Sequence, residues 1–214
     1  MTKSGTTSIT ASLQISKDGQ KNWTAWNGSE INLNSECENG KLYVKALKPN
    51  TNGFFDTINL GNFHKFVINN GKVAASGNIQ YLLDPTGERM DVPAYCYYYM
   101  FDGCRSLTTA PVLPATTLAN NCYSYMFNGC TSLTSAPELP ATTLGNECYL
   151  SMFNGCTSLT KAPELPATTL AEYCYYNMFR GCTNITSVTM KNAVNPYNSS
   201  KYGTLGSNIT INYV

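Results

Sequence analysis

The residues of this chain best suited to chemistry are its nine cysteines. Eight of them form four pairs of the form C-x7-C, and the pairs begin at Cys96, Cys122, Cys148 and Cys174. Zinc sites use cysteines roughly two to four residues apart together with further cysteine or histidine ligands, and His64 is the one histidine here. The spacing therefore predicts no metal site and no cofactor.

Groups that could catalyse a reaction are sparse. The sequence has no nucleophile-elbow serine, no glycine-rich phosphate loop and no HExxH pattern. Glu138 and Glu164 hold equal positions in neighbouring repeats, so carboxylates about 5 Å apart could bind a cation or hydrolyse a glycosidic bond. Val112 holds that position in the first repeat, which favours a solvated edge instead. We expect no catalytic residue and a protein that is not an enzyme.

The cysteine pairs belong to a 26-residue block that recurs from Cys96 onward. The second copy reads CYSYMFNGCTSLTSAPELPATTLGNE, the third reads CYLSMFNGCTSLTKAPELPATTLAEY, and the fourth loses the pattern after its middle. A fixed period in the twenties is typical of a solenoid, in which each unit packs only on its neighbours. In the second copy we predict a helix over residues 122–128, a left-handed Gly129 and a strand over 131–136 that ends at Pro137.

The same elements predict the redox state of the cysteines. Neighbouring helices pack about 8–10 Å apart, beyond the roughly 7 Å Cα separation that a disulfide spans. The column of cysteines at the predicted helix positions, Cys96, Cys122, Cys148 and Cys174, should therefore stay reduced. Strands lie about 4.8 Å apart, so distance allows a bridge in the second column, which starts at Cys104. Small buried thiols are common core residues, and we expect reduced cysteines in both columns.

Comparison of the copies with one another separates core positions from surface positions. Eight positions of the second unit are the same in its neighbours and should be packed: Cys122, Tyr123, Met126, Phe127, Gly129, Cys130, Leu133 and Thr134. The positions that differ should be solvated, and they are Ser124/Leu150/Tyr176, Tyr125/Ser151/Asn177, Asn128/Arg180, Ser135/Lys161 and Glu147/Tyr173. The candidate binding face lies among this second set, at Tyr98, Tyr99, Tyr125, Tyr176 and Arg180.

These units resemble the BspA-like leucine-rich-repeat family. The matching motifs are MFDGCRSLT at residues 100–108, MFNGCTSLT at 126–134 and 152–160, and MFRGCTNIT at 178–186. The resemblance covers about residues 79–191, although APELPATTL makes the unit longer than is usual in that family. It implies a leucine-rich-repeat fold and a surface-exposed, non-catalytic binding or adhesion protein of gut bacteria or their phages. It supplies no catalytic residues.

The N-terminal part reads as short strands, with candidates near residues 7–15, 23–26, 30–33, 41–47 and 54–60. Asn70-Gly71 predicts a hairpin between strands 65–69 and 72–76, since both turn positions need positive φ. We expect an antiparallel β-sandwich that caps the solenoid. Trp23 and Trp26 could stack on sugars, or at least one of them could form the sandwich core. A last strand, at 208–214, should cap the other end.

The predicted fold class is therefore α+β. A small N-terminal antiparallel β-sandwich (residues 1–78) packs on a short leucine-rich-repeat solenoid of about four helix–strand coils (79–191). A C-terminal β cap (192–214) follows. No apolar stretch approaches the roughly 18 residues that span a bilayer, and the N-terminus lacks the pattern of a secretory signal.

Composition limits the partners. The formal net charge is +1 and charged residues make up 13% of the chain, so we expect neither nucleic acid binding nor membrane insertion. One hypothesis is a non-enzymatic recognition or adhesion module, exposed on a bacterial cell surface or a phage virion, that binds a host or bacterial surface protein or glycan through the variable solenoid positions. The alternative is a phage structural protein, a fibre, decoration or tail component that acts by assembly with other virion subunits.

Overall fold

The structure, a computed structural model, describes residues 2–3, 13–25, 36–46, 64–66, 71–191, 204–207 and 209–214. Its regular elements there are eleven short strands and two 3-10 segments, over Glu38–Gly40 and Ile79–Leu82. The strands, β1 to β11 in chain order, are Thr2–Lys3, Leu13–Ser16, Thr24–Ala25, Tyr43–Ala46, His64–Lys65, Val73–Ala74, Asp91–Val92, Leu107–Thr109, Thr117–Leu118, Ser187–Met190 and Thr210–Tyr213. No helix among these residues is long and apolar enough to cross a membrane.

Strand β2 is the centre of a small antiparallel sheet of order β3-β2-β4. Leu13 and Ile15 of β2 are buried and Gln14 between them is half-buried, the alternation of a strand with one face on a core. β1 pairs with β5 in a separate sheet, so the described N-terminal residues form small sheets and not the two layers of the predicted sandwich. The strand predictions at 30–33 and 54–60 lie outside the described residues.

The prediction of an α+β helix–strand solenoid is wrong. Residues 122–128, where a helix was predicted, form consecutive turns, and residues 131–136 form no strand. The backbone is left-handed at every fourth position, with φ of 57° at Asn121, 56° at Tyr125 and 70° at Gly129. The same three positions are left-handed in each of the four units. An α-helix has no residue with positive φ, so this geometry excludes one.

Hydrogen bonds explain why turns form in place of a helix. The N–H groups of Tyr123, Tyr125 and Phe127 donate to carbonyls of the next unit at 2.8–2.9 Å. The N–H groups between them close local turns, as when Met126 donates to Tyr123 O at 3.2 Å. Every backbone donor from Tyr123 to Gly129 is therefore satisfied, four of the seven by the neighbouring unit. The segment is short and rich in Cys, Tyr, Ser and Asn, which are weak helix formers, so a helix offers little competition.

The stacked units bury identical residues on one another. The Tyr97, Tyr123, Tyr149 and Tyr175 rings stack at centroid distances of 5.6–5.8 Å. A second column stacks at 5.2–5.8 Å and comprises Phe66, Phe101, Phe127, Phe153 and Phe179. Of the eight repeated positions predicted to be packed, six are buried, Gly129 is half-buried and Thr134 is exposed. The periodic core is thus made of columns in which a residue contacts its own copies.

Other parts of the chain close the two ends of the stack. Phe66 extends the phenylalanine column at one end, and its N–H donates to Met100 O at 2.7 Å. At the other end Phe179 donates its N–H to Leu205 O, again at 2.7 Å. β10 and β11 pair in parallel, so the strand predicted near the C-terminus is confirmed. We call the four stacked units with these end contacts the stack.

The hairpin predicted at Asn70-Gly71 lies partly outside the described residues, which omit 67–70. Strand β6, which follows that dipeptide, pairs in parallel with β8 of the first repeat. The Ala75 N–H continues this pairing by donating to Thr109 O at 3.1 Å. The pairing crosses residue 78, where the sequence analysis placed a domain boundary, so residues before that point contribute to the stack. The three-domain division itself stays a prediction.

Candidate recognition surface

Four tyrosines come together where the first two units meet, and we call them the tyrosine cluster: Tyr95, Tyr98, Tyr99 and Tyr125. Tyr99 and Tyr125 hold the same left-handed position in successive units. Their N–H groups donate to Ser124 O at 3.1 Å and to Leu150 O at 2.8 Å. Because this backbone is bonded on both sides, the rings project from a fixed frame.

The rings of the cluster pack against one another. Tyr99 and Tyr125 are stacked, with centroids 4.6 Å apart and planes 7° from parallel. Tyr98 stands edge-on to both, at 4.4 and 6.0 Å, and Tyr95 lies 5.8 Å from Tyr98. All four side chains are half-buried. These distances leave no space between rings for a cation, so the cluster is a surface and not an aromatic cage.

Burial keeps the phenol groups of Tyr98 and Tyr99 protonated. It raises the pKa of Tyr98, and the neighbouring Tyr99 raises that pKa further. Burial also raises the pKa of Tyr99, although a hydrogen bond with Tyr98 opposes this effect. These two residues therefore present neutral hydroxyl groups, which can both donate and accept hydrogen bonds, beside apolar ring edges.

The predicted binding residues fall into two groups. Tyr98, Tyr99 and Tyr125 lie together in the cluster, whereas Tyr176 and Arg180 belong to the fourth unit and are exposed there. Tyr176 contacts Tyr173 at a centroid distance of 5.8 Å. The face predicted as one site is therefore two aromatic patches at the ends of the stack.

The comparison of copies missed one member of the cluster and misplaced two serines. Tyr95 corresponds to Asn121, and the difference between those two residues was a signal that could have identified it. Ser124 and Ser151 were expected to be solvated but are buried. The Ser124 hydroxyl reaches Asn121 Oδ1 at 3.2 Å and also bonds to the Glu147 carbonyl, so it serves the backbone between units.

All nine cysteines are free and buried, as the sequence analysis expected. The argument from helix packing does not apply, because the units contain no helices. In the second column each thiol donates to a phenylalanine carbonyl, from Cys130 Sγ to Phe101 O at 3.2 Å and from Cys182 Sγ to Phe153 O at 2.9 Å. Burial raises the pKa of Cys182 to about 11. The columns serve packing and hold no reactive thiolate.

Two other candidates of the sequence analysis carry no site. Glu138 and Glu164 are exposed, which agrees with a solvated edge. The Lys45 ammonium lies 4.0 Å from the centroid of the Trp23 ring, so a cation already covers one face of that indole. Trp26 lies outside the described residues. Over the described ranges, no three His, Cys, Asp or Glu side chains are grouped so that they could hold a metal ion.

Comparisons with other proteins assign no family. No protein-family profile, no characterised protein and no solved structure matches this chain.

Proposed function

We propose that this protein is a non-enzymatic recognition module that binds a protein or glycan partner through the tyrosine cluster. The observation that carries the proposal is the position of four half-buried tyrosines on a backbone fixed by hydrogen bonds. Tyrosine supplies a large amphipathic contact area and loses little conformational entropy when it binds. Since the rings are held by one another, little further ordering is needed on binding.

The repeat motifs support the same role. Their resemblance to BspA-like proteins favours a module exposed on a bacterial cell surface or a phage virion, and that family assignment is part of the proposal. Within each unit, buried residues and exposed residues differ in whether they can contact a partner. Repeated residues such as Tyr123 and Phe127 are buried and unavailable to a partner, whereas Tyr98, Tyr99 and Tyr125 keep exposed surface.

An array of glycans and of extracellular-matrix and bacterial surface proteins, probed with the purified chain, tests the proposal. We expect at least one ligand whose binding falls roughly 100-fold in a Tyr98→Ser/Tyr99→Ser/Tyr125→Ser variant, as for contacts at an interface hot spot. The phenylalanine triple variant retains the rings and should keep part of the affinity. Tyr213→Ser removes an exposed tyrosine of β11 and is the matched control.

Circular dichroism and urea unfolding must show that the variants remain folded. Binding that survives the serine triple variant unchanged would overturn the proposal. A ligand lost equally in the Tyr213 control would place recognition at the C-terminal strand instead.

A further inference from the structure

Columns of uncharged polar residues lie beside the tyrosine cluster. We call them the hydroxyl–amide face, and its eight members are all exposed: Thr116, Thr117, Thr142, Thr143, Thr168, Thr169, Asn120 and Asn146. The Tyr95 N–H donates to Asn120 O at 3.0 Å, so the amide column directly borders the cluster. Together the columns and the cluster form one surface of hydroxyls, amides and phenols.

The first two copies of the face are in register. Thr117 lies opposite Asp91 on one side and Thr143 on the other, both in parallel. The Thr142 N–H donates to Thr116 O at 3.1 Å. In the amide column the Asn146 N–H donates to Asn120 Oδ1 at 2.9 Å. The threonine pair thus recurs in the first three units, whereas the asparagine recurs in the first two and Glu172 takes its place in the third.

The spacing of the units follows from rings that hold the same position in successive units. Their centroids are 5.6–5.8 Å apart in the buried Tyr97 column and 4.6 Å apart between Tyr99 and Tyr125 of the tyrosine cluster. Paired strands such as those that carry the threonines lie about 4.8 Å apart, so the step from one unit to the next is about 5 Å at the surface. An extended β-1,4-linked glycan advances by about the length of one sugar ring per residue and can therefore place one ring over each unit. Because alternate rings of such a chain are turned over, neighbouring rings offer different hydroxyls to the same protein groups.

The chemistry of the face selects among polymers. None of its positions carries a lysine or arginine, Glu172 borders it, and the nearby Arg89 guanidinium is paired with Asp91 at 2.8 Å, so an anionic polymer finds no unpaired countercharge among the members of the face. The face also lacks the large apolar side chains that form the centre of protein interfaces. Hydroxyls and amides match the hydroxyl groups of a neutral sugar, and tyrosine edges match its C–H surfaces.

We propose that this surface binds a neutral, extended glycan laid along the stack, with one sugar ring per unit and the tyrosine cluster at one end. The proposal rests on the recognition function proposed above and names its ligand class. The affinity of such a site depends on ligand length until every unit of the face is occupied, because each added ring brings contacts with one more unit.

Calorimetry with β-1,4-linked glucose oligomers and N-acetylglucosamine oligomers of two to six rings tests the length dependence. We expect affinity to rise roughly tenfold between two and four rings, as for one or two added hydrogen bonds, and then to level off. Excision of residues 123–148, which joins Cys122 to Tyr149, removes one unit in register and should lower the optimal length by one ring. Duplication of the same residues should raise it by one.

Threonine-to-valine substitutions preserve side-chain shape, so they test the contribution of the hydroxyl–amide face to binding without changing the tyrosine cluster. Thr117→Val/Thr143→Val removes two hydroxyls of the face and should weaken binding of the four-ring oligomer about tenfold or more. Thr160→Val, an exposed threonine at another position of the unit, is the matched control and should bind normally. These variants leave the buried columns intact and should fold even if the excision variant does not.

Three outcomes overturn this inference. They are oligomers that fail to bind, affinity that does not depend on length, and affinity unchanged in the valine variant. If a protein ligand binds through the tyrosines while no oligomer binds, the recognition function stands and the glycan assignment is wrong. If oligomers bind but the tyrosine variants keep full affinity, the proposed role of the cluster fails instead.

Discussion

The N-terminal sheet and the stack are built on different rules. In the sheet each residue faces a different one, as Ile15 of β2 faces Thr24 and Val44. In the stack a residue faces a copy of itself, as Phe127 does between Phe101 and Phe153. The sheet thus depends on contacts between different residues, whereas the stack depends on contacts between identical residues of successive units. A residue change in the stack therefore disturbs contacts with two neighbouring units at once.

The polar side chains of the sheet and those of the stack also differ in how they are paired. The loops beside the sheet carry exposed ion pairs, such as Lys17 with Glu36 at 2.6 Å. The stack satisfies polar side chains in columns, because Asn154 donates to Asn128 at 2.9 Å and Asn128 donates to Asp102 at 2.7 Å. Exposed ion pairs contribute little to stability, so the stack should account for most of the free energy of unfolding.

The sheet and the stack should differ most in how their contributions to stability respond to pH. Burial raises the pKa of Cys174 to about 12 and that of Cys182 to about 11, from an ordinary value of 9.0. A thiol with a raised pKa holds its proton more tightly in the folded chain, so its contribution is complete below pH 9 and is lost as pH rises toward 11 or 12. Burial also raises the pKa of Tyr97, Tyr123 and Tyr149. We therefore expect the urea midpoint to fall steeply above pH 9.

Acid should have little effect by comparison. Hydrogen bonds from Asn22 and Ser16 lower the pKa of the exposed Asp18 to about 2, so its contribution is present above its ordinary value of 3.8 and is lost only as pH falls toward 2. Urea unfolding with a reductant, followed by circular dichroism from about pH 2 to about pH 11, measures both the acid and the alkaline response. Cys182→Ser removes one ionisable group and should flatten the loss between pH 9 and 11. A midpoint that stays constant to pH 11 would contradict the prediction.

The repeat period predicted the buried columns correctly but misled on local structure. Buried Cys122, Tyr123, Met126 and Phe127 recur at intervals of four, which fits the face of a short helix. A chain of four-residue turns has the same interval, so the apolar pattern does not distinguish them. The distinction depends on N–H groups that bond to the next unit, and those partners lie 25 residues away, as Cys148 does from Tyr123.

A residue of the candidate surface could be predicted only where it differs between copies of the repeat and its side chain is also exposed. Tyr98, Tyr99 and Tyr125 were found in this way, because their positions differ between copies and their side chains keep exposed surface. Ser124 differs between copies as well, yet it is buried because it bonds to the neighbouring backbone. That bond depends on the register between units, which the sequence of one unit does not contain.

Truncation of a buried phenylalanine tests how much the contacts between identical residues stabilise the stack. Phe127 is fully buried between two phenylalanines, and Phe127→Ala should lower the free energy of unfolding by about 3–5 kcal/mol. Val44→Ala in half-buried β4 should cost about 1 kcal/mol. Urea unfolding of both variants gives the comparison. Equal losses would mean that the sheet and the stack contribute alike.

The smallest expected effect concerns the left-handed positions, where the backbone and the side chain conflict. Glu147 has φ of 56°, a region that disfavours residues with a Cβ and disfavours β-branched residues most. Glu147→Val should therefore cost about 1–2 kcal/mol, whereas Glu147→Gly should lie within about 0.5 kcal/mol of the parent, because relief of strain offsets the added freedom of the unfolded chain. Glu172→Val, at an exposed position without positive φ, is the control and should be neutral. If valine is tolerated equally at 147 and 172, residue 147 is not held left-handed, and the bonds between units do not impose the turns.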